Sequence, residues 1–138
     1  MSRISELVAC SRINSICECE DISFGKVFNS QAVAIAQITG VRLFGVEKTI
    51  SDYAVRHIIK QHGNDIEERK RGQIGVTDID FEKIQDIFLN YDEVIKGSIE
   101  RGKQSIVFIK RIGALYHLAA ILDEKRKKLI VRTMFKKP

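Results

Sequence analysis

At 138 residues, 44% apolar and 30% charged, the chain has the make-up of a folded soluble domain and is long enough to bury one core. No apolar run approaches the ~20 residues that span a bilayer, and the opening MSRISELVACSRI lacks the apolar core and cleavage site of a secretory signal. The formal charge of +5 is unevenly held: residues 124–138 carry seven Lys or Arg against one acid, so the preceding 123 residues sum to −1. A basic end on a near-neutral body suits a polyanion, of which nucleic acid is the commonest, although a solvated lysine-rich turn has the same composition.

In chain order, residues 1–22 form an N-terminal arm in which Ile4, Leu7 and Val8 can line one face of a short helix. Its three cysteines, Cys10, Cys17 and Cys19, are an odd number without a regular framework, which predicts reduced thiols and a cytoplasmic setting. A Cys-x-Cys pair with no histidine nearby is a poor zinc site, and no metal or other cofactor is expected. FGKVF at 24–28 alternates as a short strand. Ser30 then caps a helix over QAVAIAQIT, with Val33, Ala34 and Ile38 facing inward and Gly40 as its stop. VRLFGV follows as a short strand or extended connector.

Residues 51–73, SDYAVRHIIKQHGNDIEERKRGQ, are the most informative stretch. Ser51 can cap a helix whose apolar stripe is Ala54, Val55, Ile58 and Ile59, and Gly63 can close it in a left-handed conformation. NDIEERKRGQ reads as a charged loop. QIGV is a brief extended piece, and Thr77 or Asp78 opens a second helix that buries Phe81, Ile84, Ile87 and Phe88. From Asn90 the period changes to two. VIKGSIE, SIVFIKR, ALYHLAAIL and LIVRTMF, separated by turns, predict about four antiparallel strands in a meander, with 105–109 and 114–122 at its centre. The fold class is therefore α+β, with N-terminal helices packed on one face of a C-terminal sheet. The arm at 1–22 and a domain at 23–138 complete the organisation.

His57 and His62 stand five apart, ~140° around a helix, which is wrong for a shared zinc site but allows either to move a proton near neutral pH. Arg69, Lys70 and Arg71 lie beside Glu67 and Glu68. A guanidinium fork matches phosphate oxygens, whereas Glu67, Glu68 and Lys70 read as surface ion pairs. Thr133 falls by alternation in the row of Leu129, Val131 and Phe135, where a lone hydroxyl needs a backbone or ligand partner. His117, in the row of Leu115, Ala119 and Ile121, reads as a core histidine. Lys110 and Arg111 end one strand. The chain has no nucleophile-serine motif, P-loop, dinucleotide fingerprint or metal-binding carboxylate cluster. Histidine and cations remain, a set that can cleave RNA without metal because the substrate brings its own 2′-hydroxyl.

The order of YAVRHIIKQHG, ERKRGQI, DFEKIQDIFLNYDEVI, SIVFIKR and VRTMFKK resembles phage and prophage nuclease domains of the barnase–EndoU–colicin–RelE-like superfamily over residues 23–138. Such domains occur at the C-terminus of MuF-type head-morphogenesis and other polyvalent phage proteins, so the chain is either free-standing or a domain of that kind. The resemblance implies a small-ribonuclease-toxin-like fold and a site on the sheet face that meets the central helix. It assigns proton transfer to His57 or His62, charge stabilisation to Arg71 and Lys110, and phosphate positioning to Thr133. Arg69, Lys125, Arg126, Lys127, Lys128, Arg132 and Lys136 are the expected nucleic-acid contacts. The implied function is a metal-independent endoribonuclease, a toxin or phage effector acting on tRNA or mRNA in the cytoplasm or delivered there with a phage particle. An acidic immunity protein or a phage structural protein is an expected partner, and a membrane is not. The competing reading is a non-catalytic nucleic-acid-binding or virion-associated module of the same fold.

Overall fold

A computed structural model describes residues 3–13 and 20–138. The chain runs α1 (Arg3–Ile13), β1 (Ile22–Lys26), α2 (Asn29–Thr39), β2 (Glu47–Ile50), α3 (Asp52–His62) and α4 (Asp65–Lys70). A 3-10 segment (Asp78–Lys83) leads into α5 (Ile84–Leu89), followed by β3 (Glu93–Glu100), β4 (Lys103–Ile112), β5 (Ala114–Asp123) and β6 (Lys128–Lys137). The class is α+β, but the sheet has six strands in the order β1-β2-β6-β5-β4-β3 and is mixed rather than a four-stranded antiparallel meander. β3 to β6 form the expected meander, and β2 adds to it parallel to β6 through Glu47, Lys48 and Thr49. The middle of the sheet is therefore β5 and β6, and β4 stands one strand from the edge.

One face of the sheet carries the helices. Phe108, Tyr116, Leu118, Ala120, Leu129, Val131 and Met134 pack there against Phe81, Ile84, Ile87 and Phe88, all buried. Ala32, Ile35 and Thr39 are the buried face of α2, whereas Val33 and Ile38 are about half exposed. The helix begins at Asn29 rather than after Ser30, and its inward face is rotated from the one expected. Lys48 is buried among apolar side chains, its ammonium 5.6 Å from the Phe88 ring and 6.0 Å from Phe28, and burial lowers its pKa. α1 joins this layer through Ile4, Leu7 and Val8 and through hydrogen bonds from Ser5 to Glu82 and from Arg12 to Asp78. Cys10 is disulfide-bonded, which corrects the expectation of reduced thiols: an odd count does not forbid one pair. Cys17 and Cys19 lie outside the described residues. No helix among the described residues is long and apolar enough to cross a membrane.

β6 changes phase midway. Ala120 pairs with Val131 and Ala119 with Thr133, so Arg132 is an extra residue, a β-bulge. Before it, Leu129 and Val131 point to the helices; after it, Met134 and Lys136 do, and Thr133 and Phe135 turn to the opposite face. Simple alternation placed Thr133 in the row of Leu129 and Val131, and the bulge overturns that. His117 likewise belongs to the outer face, in cross-strand register with Ile109 and Phe135, and not to the helix-covered core.

Candidate active site

β2 pairs with β6 only over its first residues, which leaves the outer half of β6 to other partners. α3 fills this position. Ser51 accepts a hydrogen bond from the amide of Ala54 at 3.2 Å, and Ala54, Val55 and Ile58 are buried. Its C-terminal end is fixed to the strand by a short clamp: the Val76 amide donates to the carbonyl of His62 at 2.7 Å, and the Ile74 amide to that of Lys136 at 2.8 Å. Gly63 is right-handed, with φ −85°, and is required for space instead, since a Cβ there would stand 2.4 Å from the Ile59 carbonyl oxygen. The chain then turns at once into α4. Asn64 caps it, accepting from the amides of Ile66 and Glu67 at 3.0 and 3.3 Å, and acids in the first turn with bases in the last suit the helix dipole. The expected charged loop is therefore a helix.

This corner assembles a network that surface reasoning missed. Glu68 is fully buried, not a solvated ion pair. Its Oε2 lies 3.0 Å from Nδ1 of His62, and its other oxygen accepts from the guanidinium of Arg71. Arg71 also donates to the carbonyl of Gln61 at 2.9 Å. A carboxylate facing Nδ1 requires a proton there, so it selects the tautomer whose Nε2 carries the lone pair, and it steadies the ring. Nothing in the sequence signals this, since the one apolar residue of α4, Ile66, is 72% exposed and the buried residue is Glu68.

A cleft of about 280 Å³ lies between α3 and the bulge of β6, lined by His57, Gln61, His62, Arg132 and Thr133, with Tyr53 and Glu100 at its rim. Tyr53 stacks on His57 at 6.4 Å. Arg132 meets Glu100 at 3.6 Å, a pair nearly half exposed and so of little net worth, which leaves the guanidinium available to an incoming anion. The hydroxyl of Thr133 is buried and finds no partner among the described residues. Phe135 sits between two imidazoles, 5.8 Å from His62 and stacked at 4.6 Å on His117, whose pKa burial pushes down. The cleft opens at the border of the bare sheet face, not on the face covered by the helical layer.

The structure thus brings together His57, His62, Arg132 and Thr133, with Arg71 one contact behind through Glu68. It does not bring Lys110 there. That residue is on the helix-side face, opposite Tyr116 and 3.7 Å from Asp92. Lys136 is also committed elsewhere, 2.9 Å from the buried Asp80, and Arg69 is 2.7 Å from Asp65. At the β5–β6 turn Arg126 pairs with Asp123 at 3.2 Å and Lys128 is half-buried, while Lys125 and Lys127 are exposed. Among the described residues no three His, Cys, Asp or Glu side chains gather as a metal site.

A six-stranded mixed sheet with helices on one face, and a cleft of two histidines and an arginine between α3 and β6, make this an α+β domain. The chain belongs to the family described as phage-Barnase-EndoU-ColicinE5/D-RelE like nuclease 3, whose profile matches residues 25–138. Comparison with curated proteins and with solved structures gave no match.

Proposed function

We propose that this nuclease is an endoribonuclease that uses its substrate's 2′-hydroxyl as the nucleophile. One observation carries the reading: His62, held by the buried Glu68, shares a cleft with a second histidine, a releasable arginine and an unpartnered hydroxyl. Nε2 of His62 takes the proton of the 2′-hydroxyl as that oxygen bonds to phosphorus. His57, on the same helix and lining the same cleft, gives a proton to the 5′-oxygen as its bond to phosphorus breaks. The products are a 2′,3′-cyclic phosphate and a free 5′-hydroxyl, with one proton gained and one lost by the protein. Arg132 balances the charge that gathers on the non-bridging oxygens, and Thr133 donates to one of them. Glu68 and Arg71 act through His62 and position it.

Purified protein incubated with end-labelled tRNA and mRNA in EDTA is expected to release fragments ending in 2′,3′-cyclic phosphate. His62→Ala is expected to lower kcat by about 10³-fold, with RNA affinity nearly unchanged. Glu68→Gln is expected to lower it less and to shift the pH profile of kcat. No cleavage by the wild-type protein, with RNA binding retained, would leave a binding module in place of an enzyme; full activity in a His57→Ala/His62→Ala variant would remove these residues from the chemistry.

A further inference from the structure

The cleft shares lining residues with a neighbouring hollow. Along Glu100, Ile130 and Arg132 it adjoins this hollow, of about 450 Å³, at the ends of the sheet strands. That hollow in turn shares Lys103 and Leu122 with a third, of about 580 Å³, between the β3–β4 turn, the β5–β6 turn and the segment preceding β2. Each is large enough for a nucleotide-sized group. The third hollow holds Arg42, Lys103 and Lys127, none of which forms a salt bridge among the described residues, although Lys103 helps to hold the Asp123 carboxyl low. Its one acid is Glu124, and beside it the ring of Phe44 is 50% exposed. In the middle hollow the acids Glu100 and Asp123 are matched by Arg132 and Arg126, which leaves Arg101 and Lys103 in excess.

Backbone geometry adds an independent point. Arg101 and Lys127, at the tips of the two hairpins, have φ of 50° and 51°, the described residues other than glycine on the left-handed side. Such positions disfavour a side chain by about 1 kcal/mol, and glycine or asparagine is the usual occupant. Both tips nevertheless carry a cation, and both border these hollows.

We infer that the three hollows form one track for single-stranded nucleic acid, running from the histidine cleft to Arg42 and Phe44. Phosphates lie along Arg132, Arg101, Lys103, Lys127 and Arg42, and a base stacks on Phe44 at the far end. The track deepens the nuclease reading and rests on it for which end is cut; binding along it does not. It makes the substrate an extended strand, recognised several nucleotides away from the bond that breaks.

The test uses fluorescein-labelled 2′-O-methyl RNA, which cannot be cleaved by this route, as a 4-mer and a 12-mer in an anisotropy titration over a range of salt. Relative to wild type, an Arg42→Gln/Lys103→Gln/Lys127→Gln variant is expected to lower the salt slope for the 12-mer by about 2, and to leave the 4-mer unchanged. Phe44→Ala, an independent surface change, is expected to weaken the 12-mer about tenfold. With cleavable RNA both variants raise KM for the 12-mer and keep kcat. Equal salt slopes and affinities in variant and wild type would overturn the track, as would loss of binding to polyglutamate with RNA binding intact, which points to an acidic polypeptide instead. Length-dependent binding without any RNA cleavage would overturn the nuclease reading and support the track.

Discussion

Glu68 and Thr133 are polar side chains placed where water does not satisfy them, and they differ in what answers that cost. Glu68 has His62 and Arg71 against its two oxygens, so its burial is compensated and its neighbours are held in register. The Thr133 hydroxyl is buried with no partner among the described residues, in a residue that lines the cleft. Thr133→Val keeps the shape and removes an unmet donor. It is therefore expected to stabilise the fold by about 1 kcal/mol while lowering RNA cleavage about tenfold. Paired urea unfolding and kinetics check this; a stabilised variant of full activity would make the hydroxyl a bystander. At this scale the histidines of α3 stood out as residue types, whereas Thr133 was singled out for a row of Leu129 and Val131 to which the bulge shows it does not belong. Glu68 was not legible, because EERK looks the same in a solvated loop and in a helix pressed against its neighbour. Arg132 was legible as a cation but not as a cleft residue, since nothing in LIVRTMF announces an extra residue in the ladder.

Elements were legible where the period is long and the ends are marked. Ser51 and the stripe of α3 fit that description, as do Phe81 to Phe88, although the latter open as a 3-10 turn. β2 was not, for it is four residues long and contains a lysine, and its pairing with β6 joins parts of the chain some 80 residues apart. The 3-10 segment is tied to the sheet by one carboxylate. Asp80 accepts from the Thr77 amide at 2.7 Å, from the Tyr116 hydroxyl and from Lys136 at 2.9 Å. Burial pushes its pKa up, but these donors together hold it below the ordinary 3.8. A depressed carboxyl contributes stability that is present above 3.8 and is lost as pH falls through the lower folded value. Asp80→Asn is thus expected to cost about 3 kcal/mol at pH 7, and the gap to wild type should narrow as pH drops below 3.8. Urea midpoints at pH 7 and in acid measure it, and a gap that does not depend on pH would assign the loss to packing.

Across the whole molecule the helices occupy one face and the histidine cleft the border of the other, a division that composition alone foreshadowed only as a basic C-terminal end. Several of those charges proved to be structural, as Lys136 does, or internally neutralised, as Arg126 is. β6 bridges β2 to β5 and also carries Arg132 and Thr133. During synthesis, then, neither the complete sheet nor the cleft can exist before that strand has left the ribosome. Nascent chains stalled short of residue 128 are expected to be digested by a protease dose that spares finished ones, and equal resistance would contradict this. The strand that completes the sheet also completes the cleft, so the two assemble in a single step.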